Sequence, residues 1–496
     1  MFQFVFIHLA PLQVILALIA APICLLIRHP KTTWFLATAV TWTLFIVSLL
    51  LLNKVLDTGT VSYAIGNWPA PWGIEYRIDL VNAFILVIIT TIGSAVMPYA
   101  RVSIEKEIPK DRIYLFYCMY LLCLSGLLGI AITGDIFNLF VFLEISSLSS
   151  YVMISLGSSR SALIAAYRYL IMGTIGATFY IIGVGMLYMS TGSLNMVDLA
   201  TLIPATEGNR TVLVSLAFMT VGLGIKIALV PLHMWMPNAY TYAPSVVSVF
   251  LAGTATKVAI YALMRILFTV FGAADIFENF KLSEMLSGLA IIGMIGASSV
   301  AVYQNDVKRI LAYSSLAQIG YIILGISMAS AMGIAASLLH LFNHALIKAS
   351  LFMAIGCIFL RIGSIKIDDI KGLGKIMPFT MSAFLVGGFG LIGVPLTAGF
   401  ISKWNFIQSA IEKEWWLSIA AILISSLLAV VYVWRIVEAA YFQSRNENDQ
   451  RVTEAPWSML APMWILISLS FYFGINGTLT TNFTIGAAEV LLGSMQ

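Results

Sequence analysis

Charge is what this sequence has least of. Only 10% of its 496 residues are Asp, Glu, Lys or Arg, while 60% are hydrophobic, and the mean hydropathy is +0.96. A soluble domain carries about 25% charged residues, so the chain reads as a polytopic membrane protein with little mass outside the bilayer. The net charge of +4 is spread over connecting segments, which excludes a nucleic-acid-binding face. Cysteine is almost as scarce. Cys24, Cys118, Cys123 and Cys357 lie in apolar runs at no ligand spacing and read as small apolar filler. No basic segment precedes the first apolar stretch, which is expected to be a retained span and not a cleaved signal peptide.

What is present is a succession of ~14 apolar runs of the roughly 17–25 residues that cross a bilayer. The expected architecture is an all-α polytopic membrane protein. Residues 1–112 hold helices one to three, 113–271 helices four to eight, 286–442 helices nine to thirteen, and 443–496 a fourteenth helix and tail. Basic residues set the orientation. Fifteen fall on one set of alternate connections (among them Lys106, Lys110, Lys308, Arg361, Lys371, Arg445 and Arg451) and five on the other (Lys54, Arg77, Arg210, Lys281 and Lys413). The richer side is expected to be cytoplasmic, leaving both termini on the outer face of a cell inner membrane. The remaining seven basic residues lie within the spans: Arg168, Lys226, Lys257, Arg265, Lys348, Lys403 and Arg435.

Two runs carry an internal Val-Pro-Leu, GLGIKIALVPLHMWMPNAY around Pro231 and GFGLIGVPLTAGFISKWNF around Pro395. Proline removes a backbone donor and clashes with the preceding turn, and backbone freed in lipid must be satisfied by protein or cavity water. Each break has an intramembrane lysine beside it, Lys226 and Lys403. Interrupted spans at matching places in two halves point to inverted repeats around a transport path, here two five-helix units; ordinary proline kinks are the alternative. GFGLIG matches G-x-G-x-x-G, but no strand precedes it, so it is read as a close-packing device and not a nucleotide loop.

A charge near the bilayer centre costs about 2.5–3.5 kcal/mol on insertion scales. Glu144, deep in GDIFNLFVFLEISSLSSY, is therefore expected to neutralise Lys226, as a proton-controlling pair or as a static helix lock. His340, His344 and Lys348 recur at i, i+4 and i+8 on one helical face. The column reads as a proton relay; a metal site and a structural hydrogen-bond column are the rivals. Lys257, without a near partner in sequence, is expected to link the pair to the column. Lys226 precedes its break, near carbonyl-bearing half-helix ends, whereas Lys403 follows its break, near a half-helix N-terminus that disfavours a cation. Arg168 and Arg265 are expected to snorkel, and Arg435 to pair with Glu438.

Together, GDIFNLFVFLE, GLGIKIALVPLHMWMPNAY, HLFNHALIKASLF and GVPLTAGFISKW resemble the antiporter-like subunits shared by respiratory complex I, membrane-bound hydrogenases and multisubunit Mrp-type Na⁺/H⁺ antiporters. GDIFNLFVF followed by Glu looks most like the D-type subunit of the Mrp antiporters, from which SSLSS after Glu144 departs. The resemblance implies a ~14-helix fold and a proton-translocating secondary-transport subunit, not itself a catalytic enzyme, exchanging a monovalent cation (Na⁺ first) for protons. The alternative is a proton-pumping subunit of a redox complex. Glu144 and Lys226 would form the first half-channel pair, Lys257 with His340, His344 and Lys348 the central axis, and Lys403 the terminal carrier. Other membrane subunits and lipid are the implied partners. No cofactor, metal or nucleic acid is implied.

Overall fold

The structure of the chain, a computed structural model, describes residues 7–206, 209–272, 277, 281–444 and 452–493; Arg445 and Arg451 lie outside these. Four long helices open the chain: α1 (Leu9–Ile27), α2 (Pro30–Thr58), α3 (Leu80–Glu107) and α4 (Ile113–Ile132). They are followed by α5 (Ile136–Ser155), α6 (Arg160–Thr191) and a short α7 (Met196–Leu202). The seventh apolar run is α8 (Arg210–Ile227) and α9 (Met236–Tyr242), and the eighth is α10 (Ser245–Gly253) and α11 (Ala255–Met264). Then come α12 (Leu282–Val302), α13 (Val307–Ser327) and α14 (Ala331–Ile362). The twelfth run is α15 (Pro378–Ile392) and α16 (Ala398–Glu412), followed by α17 (Trp416–Phe442), α18 (Trp457–Ile475) and α19 (Gly477–Leu491).

Thirteen helices among the described residues are long and apolar enough to cross a membrane; the α15–α16 pair supplies the fourteenth run. One non-helical element was not anticipated. Strands β1 (Val61–Ala64) and β2 (Glu75–Ile78) form an antiparallel hairpin with Val61 opposite Ile78, and Gly134 N donates to Glu75 O at 2.8 Å.

Polar residues at the ends start the helices. Asp79 Oδ1 accepts from Val81 N and Asn82 N, and Asn82 Oδ1 returns the bond to Asp79 N, a capping box that satisfies otherwise orphaned donors. Asp135 caps α5 through Asn138 N at 2.7 Å, and Asp306 caps α13 through Arg309 N at 3.0 Å. Burial pushes the carboxyl of Asp306 up from the ordinary value, against the backbone bonds and the nearby Lys308 and Arg309 charges.

Both Val-Pro-Leu helices are broken, as expected. Ala228 turns the first with φ +65, and Gly393 and Leu396 turn the second with φ +87 and +75. The glycines of GFGLIG serve close approach: a Cβ at Gly388 would lie 2.8 Å from Val433 and one at Gly390 2.9 Å from Ile347. Beyond the break, a Cβ at Gly399 would lie 2.0 Å from Gly390 O, so only glycine lets α16 start against α15. The eighth run has an interruption that no proline announces. It bends at Thr254 (φ −127, ψ −59), and from Arg265 its turns widen to π-helical, with Phe271 N donating to Ile266 O.

Candidate functional site

The core of the molecule is mostly apolar, and a file of ionisable side chains crosses it on the interrupted helices and on α5 and α14. Lys226, in the last turn of α8, donates to Glu144 Oε1 at 2.9 Å and to Ser147 Oγ at 2.7 Å. The structure thus brings together the predicted pair. Lys226 is 6% exposed, but the Glu144 side chain is 22% exposed, so the carboxylate lies at the flank of the chain and not in its centre. Ser147 sits one turn after Glu144. A cavity of 20 Å³, bounded by Ser146, Ser147, Ser150, Tyr169 and Lys226, opens behind it against α11, enough for one water. Of the serines of SSLSS, Ser147 thus binds the lysine directly, and Ser146 and Ser150 line the cavity beside it.

Lys257 is 1% exposed. Its ammonium donates to Ala252 O, across the interruption at Thr254. On α14, His340 and His344 stack with ring centroids 6.0 Å apart and planes within 6°. His340 is held on both sides, Nδ1 by Ser402 Oγ at 2.8 Å and Nε2 by Gln318 Oε1 at 2.7 Å. A carbonyl oxygen only accepts, so Nε2 carries a proton and Nδ1 is the position where one can be gained or lost. Ser402 Oγ lies 3.1 Å from Gly399 O, an alternative acceptor for its hydroxyl. His344 differs: both ring nitrogens are buried and bond to no protein group. The groups acting electrostatically on it are Lys257, Lys348 and His340. Lys348, fully buried, donates to Leu311 O and Ser314 Oγ.

Lys403 departs from the expectation. Although it follows its break, its ammonium reaches back to Leu391 O and Ile392 O at 3.1 and 2.8 Å. It therefore sits against the last carbonyls of α15, where a cation is favoured. Ser426 Oγ at 3.0 Å completes its three donors, and its Nζ stands 4.9 Å over the Tyr321 ring. Tyr321 in turn faces His340 at 5.7 Å.

Three other expectations change. Arg265 does not snorkel; it is 6% exposed and bonded to Asp79 at 2.5 Å. Arg435 is bound not to Glu438 but to Val302 O, Gln304 O and Asn305 Oδ1. Lys308, counted with the cytoplasmic loops, lies in the first turn of α13, is 3% exposed and donates to Ala243 O. Arg168 is exposed, as snorkelling requires. Gln318, Ser402, Ser426 and Tyr321 escaped the sequence because neutral hydroxyls and amides are ordinary in apolar helices; only their meeting across helices marks them.

Residues 133–429 match a family described as "NADH:quinone oxidoreductase/Mrp antiporter, TM". The chain is 40% identical over 474 residues to the N-type subunit of NADH-quinone oxidoreductase from Desulforudis audaxviator, covering 92% of this chain and 94% of that one. It is 30% identical over 450 residues to the D-type subunit of the Na⁺/H⁺ antiporter from Alkalihalophilus pseudofirmus, covering 90% of each. Among solved structures, a chain of the membrane-bound sulfane sulfur reductase, an archaeal respiratory membrane complex, superposes with TM-score 0.91 at 30% identity over 98% of each chain. A chain of the Mrp complex from Dietzia sp. superposes with TM-score 0.90 at 23% identity, also over 98% of each, a likeness of fold. With a helical membrane fold, two broken helices and relatives spanning nine-tenths of its length, the chain belongs to the membrane-subunit family shared by NADH:quinone oxidoreductases and Mrp antiporters.

Proposed function

We propose that this chain translocates protons along the file Glu144, Lys226, Lys257, His344, Lys348, His340 and Lys403, as one subunit of a multisubunit monovalent cation/proton antiporter. The observation that carries this proposal is the burial of six of those seven groups, none more than 6% exposed, within the membrane-spanning helices. Ionisable groups at membrane depth are costly and mark ion paths. In the first half, a displacement of Glu144 from Lys226 leaves the ammonium with Ser147 alone and favours release of its proton. In the middle, His344 has two nitrogens that only water can satisfy, a requirement that fits a hydrated link between Lys257, Lys348 and His340. At the far end, protonation of His340 Nδ1 turns the Ser402 hydroxyl toward Gly399 O, and Lys403 takes up or releases a proton among its three acceptors.

Two matched connections support the assignment of 113–271 and 286–442 as inverted repeats. Asp135 bridges Asn195, and Asp306 bridges Lys366; each aspartate caps the second helix of its unit and meets the loop after the third. Because five helices separate them, the two staples fall on opposite faces. The uneven distribution of Lys and Arg supports placing both termini outward, with 1–112 and 443–496 flanking the repeats.

A second reading, a proton-pumping subunit of a redox complex, is favoured by the 40% identical relative and by the respiratory-complex neighbour. Glu144→Gln in the assembled complex is expected to abolish Na⁺-dependent proton movement in everted vesicles; full retained transport would make the chain a scaffold. Na⁺-driven proton movement without an electron donor, in a complex lacking iron–sulfur partners, supports the antiporter. Proton movement that requires electron transfer supports the redox pump.

A further inference from the structure

One buried cluster adjoins the file above and shares only Lys257 with it. On α11 and its π-helical extension, Lys257, Tyr261 and Arg265 follow at i, i+4 and i+8, all buried, so they share one face over roughly 12 Å at about 1.5 Å per residue. Arg265 Nη2 binds Asp79 Oδ1 at 2.5 Å and Asn82 Oδ1 at 2.6 Å. Its Nε donates to Tyr261 Oη at 3.2 Å, and its Nη1 to Thr269 Oγ1 at 3.3 Å. Tyr261 Oη also meets Asn82 Nδ2 at 2.7 Å and Ala131 O at 3.1 Å. Beyond the ion pair lies a cavity of 110 Å³, bounded by Thr60, Arg77, Asp79, Asn82, Thr133 and Arg265, with room for several waters. The β-hairpin borders it, and there Glu75 engages Ser62, Asn195 and Arg77.

We propose that the Arg265–Asp79 pair is a gate between this cavity and Lys257, giving the file its own access to the outer face. The inference rests on the proton-translocating reading above and adds a route to it. Three observations converge. A buried ion pair adds little stability over apolar residues of the same volume, so packing alone does not account for it. The guanidinium does not deprotonate, so it cannot hand a proton on from Tyr261 to the cavity. Asp79 is fixed, since the same oxygen caps α3, whereas Arg265 begins the π-helical stretch. Such stretches recur at functional sites, and a one-residue slip turns a side chain by about 100° about the helix axis. Closed, the pair cancels its own charge and plugs the floor of the cavity. Open, it admits water to Tyr261 and Lys257.

The test places a reporter at Tyr261→Cys in the assembled complex and adds a membrane-impermeant maleimide to the outer face of right-side-out vesicles; the complex without the reporter gives the background from the four native cysteines. Adding Asp79→Asn and Arg265→Gln, which keep polar contact and remove both charges, is expected to raise the labelling rate about ten-fold, because labelling follows the population of the open state. Proton leak into proteoliposomes without a cation gradient is expected to rise with it. Equal labelling rates in complexes that co-purify normally overturn the gate. Should the double variant fail to assemble, Arg265→Lys, which retains charge but loses the fork of donors, must still label faster than the reporter alone, and an unchanged rate overturns the gate equally. Glu144→Gln separates the two proposals: if it stops transport while labelling is unaffected by the paired substitutions, only the gate fails; if it leaves transport intact, the translocating reading fails first.

Discussion

Ser147 carries no charge, yet under the proposed function it is the partner left to Lys226 when Glu144 moves. A hydrogen bond to a charged group contributes about 1.5–3 kcal/mol. Ser147→Ala is therefore expected to slow proton movement by roughly ten-fold at about 1.4 kcal/mol per decade, measured as initial ΔpH formation in everted vesicles, while the complex still assembles. Asp306 is a second residue with a definite sign. Burial raises its carboxyl in the folded chain. A group raised on folding stabilises the fold while protonated and loses that contribution as pH climbs from the unfolded value of about 3.9 through the folded one. Asp306→Asn keeps the cap acceptor and removes the charge. It is expected to unfold at an equal or higher temperature than the parent at pH 7, with the difference closing toward pH 4; thermal scans of the solubilised complex at the two pH values check this.

At the scale of elements, the broken α15–α16 helix is set by contacts that admit no side chain. A Cβ on Gly399 would meet the backbone oxygen of Gly390 at 2.0 Å, and backbone cannot swing away as a flexible side chain can. Gly399→Val is expected to cost more than the ~1–3 kcal/mol typical of overpacking, read as loss of assembled complex on size-exclusion chromatography; Gly288→Ala, with open space around it, is the control. The elements themselves were largely legible. The apolar runs gave the helices, Val-Pro-Leu gave both breaks, and the cost of burying Glu144 gave its pairing with Lys226. Less legible was anything decided across the sequence. Arg265 looked like a snorkelling end residue because Asp79 stands 186 positions away. Lys403 looked badly placed because position along the chain says where a helix begins, not which carbonyls a long side chain can reach. The bend at Thr254 went unread, since the one glycine beside it, Gly253, is an ordinary residue in a membrane helix. The hairpin at 61–78 hid in a loop rich in Gly, Pro and Trp.

For the whole molecule, the distribution of Lys and Arg yields a direct expectation. Tags at residue 1 and residue 496 should be digested by protease added to intact spheroplasts, and a tag inserted at the 108–112 connection should survive until the membrane is opened; the reverse pattern would invert the orientation. The seam between the chain and its surroundings bears on the chemistry as well. The Glu144 carboxylate is 22% exposed along a strip of α5 where Phe137, Val141, Leu148 and Val152 also face outward. Detergent, lipid tails or another polypeptide would each give that acid a different dielectric and different donors. The surroundings of Glu144 are thus shared property, set jointly by this chain and by whatever lies alongside it, so measurements on the purified single subunit would describe a different site from the one in the membrane.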